Sequence, residues 1–308
     1  MADSSSSRAN LEAILRWCLR KQDEEESTGT TPMDRERQEW LKGALEAMCS
    51  APSETDLMKA ALAVLQSHHI PPPGSDIGED TKNAMLKAFD EVLYFIEDLD
   101  HAKDLMKLGG VAVMMSYFNH PNRDLCAKAC EVMGTSAQNE EYCQQACQPA
   151  IPQLVQLCMS CDDELVKVKS LYAISCIVRE FPPGLEVFME NKGMELLLHC
   201  LVCEYEKVII KALFLLRSIS NKTVSSYITD DIIRQVVHIT MTPPYDDINI
   251  RRHSTFCLLS LVRAVPYKFS SHRARLLETL QDRQQSLTDS NHEDELEACW
   301  KIVDLFSK

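Results

Sequence analysis

Apolar positions along this chain recur at the three- and four-residue steps of amphipathic helices. Leu11, Ile14, Leu15, Cys18 and Leu19 form the first such stripe, with Trp17 on its flank. This helix is about two turns long, too short to persist alone in water. Two readings stay open for it: a helix that folds back onto the body, and a tethered peptide offered to a partner. A second helix starts near Met33 to Arg35 and carries Trp40, Leu41, Ala44, Leu45 and Met48. A third begins at Ser53, where Ser53-Glu54-Thr55-Asp56 reads as cap and acidic first turn, and runs to about His68. Pro71-Pro72-Pro73-Gly74 then stops helix, because proline lacks the amide donor and clashes with the preceding turn.

From about Thr81 the pattern repeats. A shift of 42 residues lays Lys169 on Lys211, Leu171 on Leu213, Ile174 on Leu216 and Ile177 on Ile219. The same shift lays Lys211 on His253, Phe214 on Phe256, Leu216 on Leu258 and Ile219 on Leu261. One period earlier, Lys128, Cys130, Met133 and Ser136 take these places. A helical period near 42 lies in the range of armadillo and HEAT units. The segments between fit second helices, Val111 to Tyr117, Gln153 to Cys158 and Glu195 to Cys200, each after a small or breaking residue: Gly109-Gly110, Ala150 or Gly193. One unit cannot bury its apolar faces alone, so the units must stack into one core. Lys207 to Asn221 would be the third helix of its unit, the helix that lines the concave face of armadillo arrays. Glu293 to Phe306 reads as a closing helix with Leu296, Trp300, Val303 and Leu305 facing inwards.

The expectation is an all-α, armadillo-like helical repeat solenoid with N- and C-terminal capping helices. Residues 1–32 form a flexible segment with one short helix, 33–80 the N-terminal cap, 81–280 about four units, and 281–308 the C-terminal cap.

Composition narrows the function. The net charge of -14 opposes binding to phosphate backbones and to anionic membranes. No apolar run reaches the roughly 18 residues of a membrane span, and the Ser-rich opening does not read as a secretory signal. The 13 cysteines lie inside apolar helical patterns, so they read as reduced, buried thiols of a cytosolic protein. These features point to a protein partner, and exclude nucleic acid and membrane.

Candidate chemistry is sparse. Cys158-Met-Ser-Cys161 and Cys200-Leu-Val-Cys203 could supply four thiolates to zinc. They are 42 residues apart, so they occupy one repeat position, and stacked helices sit roughly 10 Å apart. Metal and redox chemistry are therefore set aside, and cysteine is read as a small apolar helix residue. The i, i+4 pairs Cys126/Cys130 and Cys143/Cys147 take the same reading. No HExxH, P-loop, GxGxxG or GxSxG motif occurs. The expected protein is not an enzyme and needs no cofactor or metal.

Four segments together carry a family resemblance: Asn10 to Leu19 with Met33 to Lys42; Ile96 to Asp104; Gly134-Thr-Ser-Ala-Gln-Asn139; and Val168 to Glu180. They run in order over most of the chain. As a set, they resemble the armadillo nucleotide exchange factors of the seventy-kilodalton heat-shock chaperone. The resemblance implies a monomeric, cytosolic co-chaperone that embraces lobe II of the chaperone's ATPase domain and promotes ADP release. It also implies an N-terminal segment (Leu11, Ile14, Leu15, Trp17) that occupies the chaperone's substrate-binding domain and assists client release. Position by position it points to Ala102 as a small contact residue and to Lys211 as a basic one. Lys169, Arg179, Gln138 and Asn139 occupy related positions. The last unit departs, with His253 in place of a Lys and Asp230-Asp231 in place of a glycine. The alternative is another armadillo scaffold, such as a nuclear-import adaptor. That class needs Trp and Asn on each concave helix. Here the Trp places hold Glu131, Tyr172, Phe214 and Phe256, and the Asn places Thr135, Cys176, Ser218 and Ser260.

Overall fold

The computed structural model describes residues 34–50, 52–67, 77–220, 222–242, 248–287 and 292–307, and every regular element among them is helical. Contacts divide the chain into two units, Met1–Leu57 and Met58–Lys308. The first unit holds α1 (Arg35–Ser50), on which Trp40 is exposed. The next helix, α2 (Glu54–Ser67), starts where the sequence signals it: the Asp56 amide donates to Ser53 Oγ at 3.1 Å, and that hydroxyl donates to Asp56 Oδ2 at 2.7 Å.

The second unit is a stack of helical repeats. After α3 (Glu79–Phe95) come three full triplets. They are α4 (Leu99–Lys107), α5 (Gly110–Ser116), α6 (Arg123–Ser136); α7 (Glu141–Cys147), α8 (Ile151–Ser160), α9 (Glu164–Val178); and α10 (Pro182–Glu190), α11 (Gly193–Leu201), α12 (Glu206–Ile219). In the fourth repeat the first helix shrinks to a 3-10 turn, Lys222–Tyr227, before α13 (Asp230–Met241) and α14 (Ile248–Ala264). Another 3-10 turn, Pro266–Phe269, leads to α15 (Arg273–Ser286) and α16 (Glu293–Ser307).

Local chemistry sets these boundaries. Asp98, Asn122, Asp163 and Thr229 cap α4, α6, α9 and α13 by accepting from amides of the first turn. Proline occupies the first turn of α8 and α10, where its missing donor costs nothing. Gly109, just before α5, has φ +78°, a conformation that favours glycine. Asp230 and Asp231 sit in the first turn of α13, where carboxylates meet the positive end of the helix dipole. The cap residue before them, Thr229, has φ −79°, so this helix start holds no left-handed position that would favour glycine.

The core follows the 42-residue shift. Leu171 and Leu213, then Ile174, Leu216 and Leu258, then Ile177, Ile219 and Leu261 are all at most 3% exposed. Third helices pack on third helices in the order α3, α6, α9, α12, α14, α16, which makes one continuous ladder through the unit. The α6–α9 step depends on Gly134. A Cβ there would stand 2.6 Å from the Tyr172 ring and 3.0 Å from the Ala173 backbone.

The closing helix presents a different face from the one expected. Glu295, Ala298, Cys299, Ile302 and Phe306 are buried, whereas Trp300 is 58% exposed and Leu305 is also exposed. Both stripes have helical spacing. The choice falls to Glu295, whose carboxylate takes a two-pronged pair from Arg251 at 3.0 and 3.1 Å. Arg283 stands 3.8 Å from the same carboxylate and donates to Thr255 Oγ1 and to the Thr240 carbonyl. Hydropathy alone assigns a glutamate to solvent, so the pattern selects the wrong stripe.

Candidate functional site

The exposed side of the third-helix ladder gathers the charged residues that the sequence singles out. Lys128, Lys169, Lys211 and His253 stand at equivalent places on α6, α9, α12 and α14. Their surroundings differ. Lys169 Nζ meets Glu131 Oε1 at 2.5 Å, Lys128 lies 3.7 Å from Glu131, and Lys128 reaches Asp90 at 2.7 Å. At this N-terminal end, cations and carboxylates alternate and neutralise one another.

Lys211 instead places its ammonium over the Tyr172 ring, 5.6 Å from the centroid. Arg179, just beyond α9, lies over Phe214 at 6.0 Å, and Arg217 lies over Phe256 at 4.7 Å. Each aromatic offers its negative face to a cation of a neighbouring third helix, an attraction of about 0.5–1 kcal/mol at an exposed site. The platform orients the cation and leaves its charge uncancelled.

Tyr172 is itself held in place. Its hydroxyl lies 3.4 Å from Thr135 Oγ1 and donates to Gln138 Oε1 at 3.3 Å. Burial raises the pKa of this phenol. Asn139 follows α6 with φ 58°, a left-handed turn that asparagine tolerates. From there its Oδ1 accepts from Arg179 at 3.2 Å. Gln138, Asn139, Lys169, Arg179 and Lys211 thus belong to one face.

Ala102 does not join them. It is 1% exposed on α4, so its methyl packs inside and offers nothing to a partner. The small residue is needed for helix packing, and Ala102→Arg would test folding rather than contact. Leu11, Ile14, Leu15 and Trp17 lie outside the described residues.

The face also includes residues that the sequence reading passes over. Tyr172, Phe214 and Phe256 form an aromatic column at a strict 42-residue spacing, and its last member carries two cations, Arg217 and, at 5.7 Å, Arg252. The alignment that displays these three positions also tests for tryptophan, and their aromatic character was the available signal. Towards the C-terminus the face deepens into a cavity of about 560 Å³ lined by Arg217, Arg252, Phe256, Arg263 and Lys301, with Asp294 and Glu297 opposite. There Arg252 pairs with Asp294 at 2.7 Å and Lys301 with Glu297 at 2.6 Å.

No group of three or more His, Cys, Asp or Glu that could hold a metal occurs among the described residues. No described helix is long and apolar enough to cross a membrane.

Comparison with known proteins adds to this geometry. Residues 11–105 match the model described as "Nucleotide exchange factor Fes1", and residues 101–238 match the "SIL1/FES1/HPBP1 C-terminal domain". Human Hsp70-binding protein 1 is 27% identical over 306 residues, covering 96% of this chain and 84% of that protein. The Hsp70 nucleotide exchange factor fes-1 of Neurospora crassa is 32% identical over 178 residues, covering 56% of this chain and 66% of that protein. Among solved structures, a computationally designed armadillo repeat protein for modular peptide recognition superposes with a TM-score of 0.66 at 13% identity, covering 81% of this chain and 99% of that one. At that identity the likeness concerns the fold.

Proposed function

This chain belongs to the SIL1/FES1/HPBP1 family, and on that premise we propose that it is a co-chaperone of Hsp70 that promotes ADP release. The observation that carries the reading is the row of outward cations, Arg179, Lys211 and Arg217, each seated on an aromatic ring of the ladder. Fixed positive charges on rigid third helices suit an acidic patch on a folded protein. The proposed patch lies on lobe II of the Hsp70 ATPase domain. Gln138, Asn139 and Lys169 border the row and hold its N-terminal end.

The protein performs no covalent chemistry in this reading. A ligand shifts an equilibrium only by binding one state better than the other. The ladder therefore promotes ADP release by binding the open ATPase domain more tightly than the closed one. The N-terminal segment with Leu11, Ile14, Leu15 and Trp17 occupies the substrate-binding domain and helps clients leave. The protein acts as a cytosolic monomer, with residues 33–80 and 281–308 capping an array over 81–280.

The decisive experiment is release of labelled ADP from the isolated Hsp70 ATPase domain. Stoichiometric protein accelerates release at least tenfold; an unchanged rate would sink the proposal. Deleting residues 1–32 leaves this acceleration intact and slows client release.

A further inference from the structure

The two CxxC segments, set aside above because stacked helices lie too far apart, meet at their first cysteines. Cys158 on α8 and Cys200 on α11 bring their sulfurs to 3.9 Å, and both are 0% exposed. Helix axes keep their spacing, but side chains at equivalent places reach across it. Beside them lies Lys167, which is 4% exposed. Its ammonium donates to the Cys158 carbonyl at 3.1 Å and stands 3.5 Å from His199 Nε2. No carboxylate among the described residues forms an ion pair with it.

A buried cation without an anion is strongly disfavoured. The group at hand that can supply negative charge is the thiol pair. The contact between the two sulfurs lowers the Cys200 pKa, burial opposes this, and Lys167 assists it. Cys158, its partner, is raised by the same contact and by burial. A thiolate next to a thiol and a cation is the arrangement that attacks peroxides. His199 is exposed, so the site lies one side chain from solvent.

We propose that Cys158 and Cys200 form a redox-active dithiol site that a hydroperoxide oxidises to a disulfide joining α8 to α11. The Cys200 thiolate attacks the distal peroxide oxygen. The O–O bond breaks, and the leaving oxygen takes a proton, which gives Cys200 sulfenic acid and, from hydrogen peroxide, water. Cys158 sulfur then attacks the Cys200 sulfur, loses its proton and expels the sulfenic hydroxyl as a second water. Two thiols and one hydrogen peroxide thus give one disulfide and two waters.

The sulfurs must close from 3.9 Å to about 2.05 Å. That closure draws α8 and α11 together, and α9 and α12, which pack on them, follow with Lys169 and Lys211. Oxidation would therefore change the partner-facing row, a consequence that rests on the proposed function.

The test exposes the full-length reduced protein to hydrogen peroxide, alkylates free thiols in denaturant and maps unreduced peptides. The expected product is a Cys158–Cys200 cross-link that dithiothreitol removes and that C158S and C200S each abolish. Cys147, equally buried but without a neighbouring cation, stays alkylatable. Lys167→Met slows cross-linking at least tenfold. Should that variant unfold, the contrast between Cys200 and Cys147 in the unmodified protein decides the point. Cys158 and Cys200 that stay reduced while half-buried Cys203 oxidises would overturn the site, as would a cross-link between other cysteines. The oxidised protein should release ADP at least threefold more slowly and recover on reduction. A cross-link with an unchanged rate overturns the functional consequence alone. A reduced protein that never accelerates ADP release refutes the exchange function and leaves the cross-link standing.

Discussion

The middle of the ladder and its C-terminal end share one 42-residue layout but treat positive charge in opposite ways. In the middle, Lys211 and Arg179 rest on aromatic rings and keep their charge outward. At the end, Arg251 and Arg283 converge on the buried Glu295, and Arg252, although it also lies over the Phe256 ring at 5.7 Å, is paired with Asp294. A cation on a ring remains able to bind a partner's carboxylate. A cation already paired inside the chain must first give that pair up. The difference teaches that repeat position alone does not assign a binding role: the neighbour that neutralises the side chain decides whether it grips or holds the fold.

Removing the acid from the C-terminal cluster gives the largest effect. Glu295→Ala leaves two guanidinium groups, one of them 8% exposed, without their anion. We expect a loss of about 3–5 kcal/mol in denaturant unfolding. A loss under 1 kcal/mol would mean that the cluster is not structural and would erase the contrast. The reverse experiment acts on the middle. Lys211→Glu with Arg217→Glu weakens Hsp70 ATPase-domain binding about a hundredfold, or roughly 2.7 kcal/mol, with little change in stability. Equal affinity for the variant would remove the cationic row from the grip.

Gly134→Ala sharpens the comparison, since only the middle relies on a glycine beneath an aromatic platform. The added methyl meets the Tyr172 ring at 2.6 Å, so the ring moves and Lys211 loses its seat. Expected are a cost of about 1–3 kcal/mol by thermal or chemical unfolding and a weaker ATPase-domain affinity. Unchanged affinity would show that the platform does not orient Lys211. The smallest effect is a gain. Glu180 ends the α9 unit with φ 57°, the same left-handed turn that Asn139 makes one period earlier. Glu180→Gly relieves the side-chain strain and stabilises the fold by about 0.5–1 kcal/mol. A loss in its unfolding midpoint would show that Glu180 makes contacts worth more than the strain.

Much of the candidate face was legible because repeats make their own alignment. Lys169 and Lys211 share a position, and Gln138, Asn139 and Arg179 follow from the ends of equivalent helices. The aromatic column was legible by the same shift. Ala102 was not, because a small residue marks close packing equally well against a partner and against the chain's own helices.

The sequence by itself determined the helical class, the period, the second- and third-helix alternation and the core rows. Each of these depends on local spacing, on caps such as Asn122 and Asp163, and on apolar residues that must leave water. Only the tertiary structure decided which cations are neutralised, which face of α16 turns inward and which thiols meet. Those outcomes depend on distances between residues 28 to 44 positions apart, as in Arg283 with Thr255 and Arg251 with Glu295. Electrostatic pairing and sulfur contact act through space over a few ångströms, and hydropathy along the chain carries no record of them.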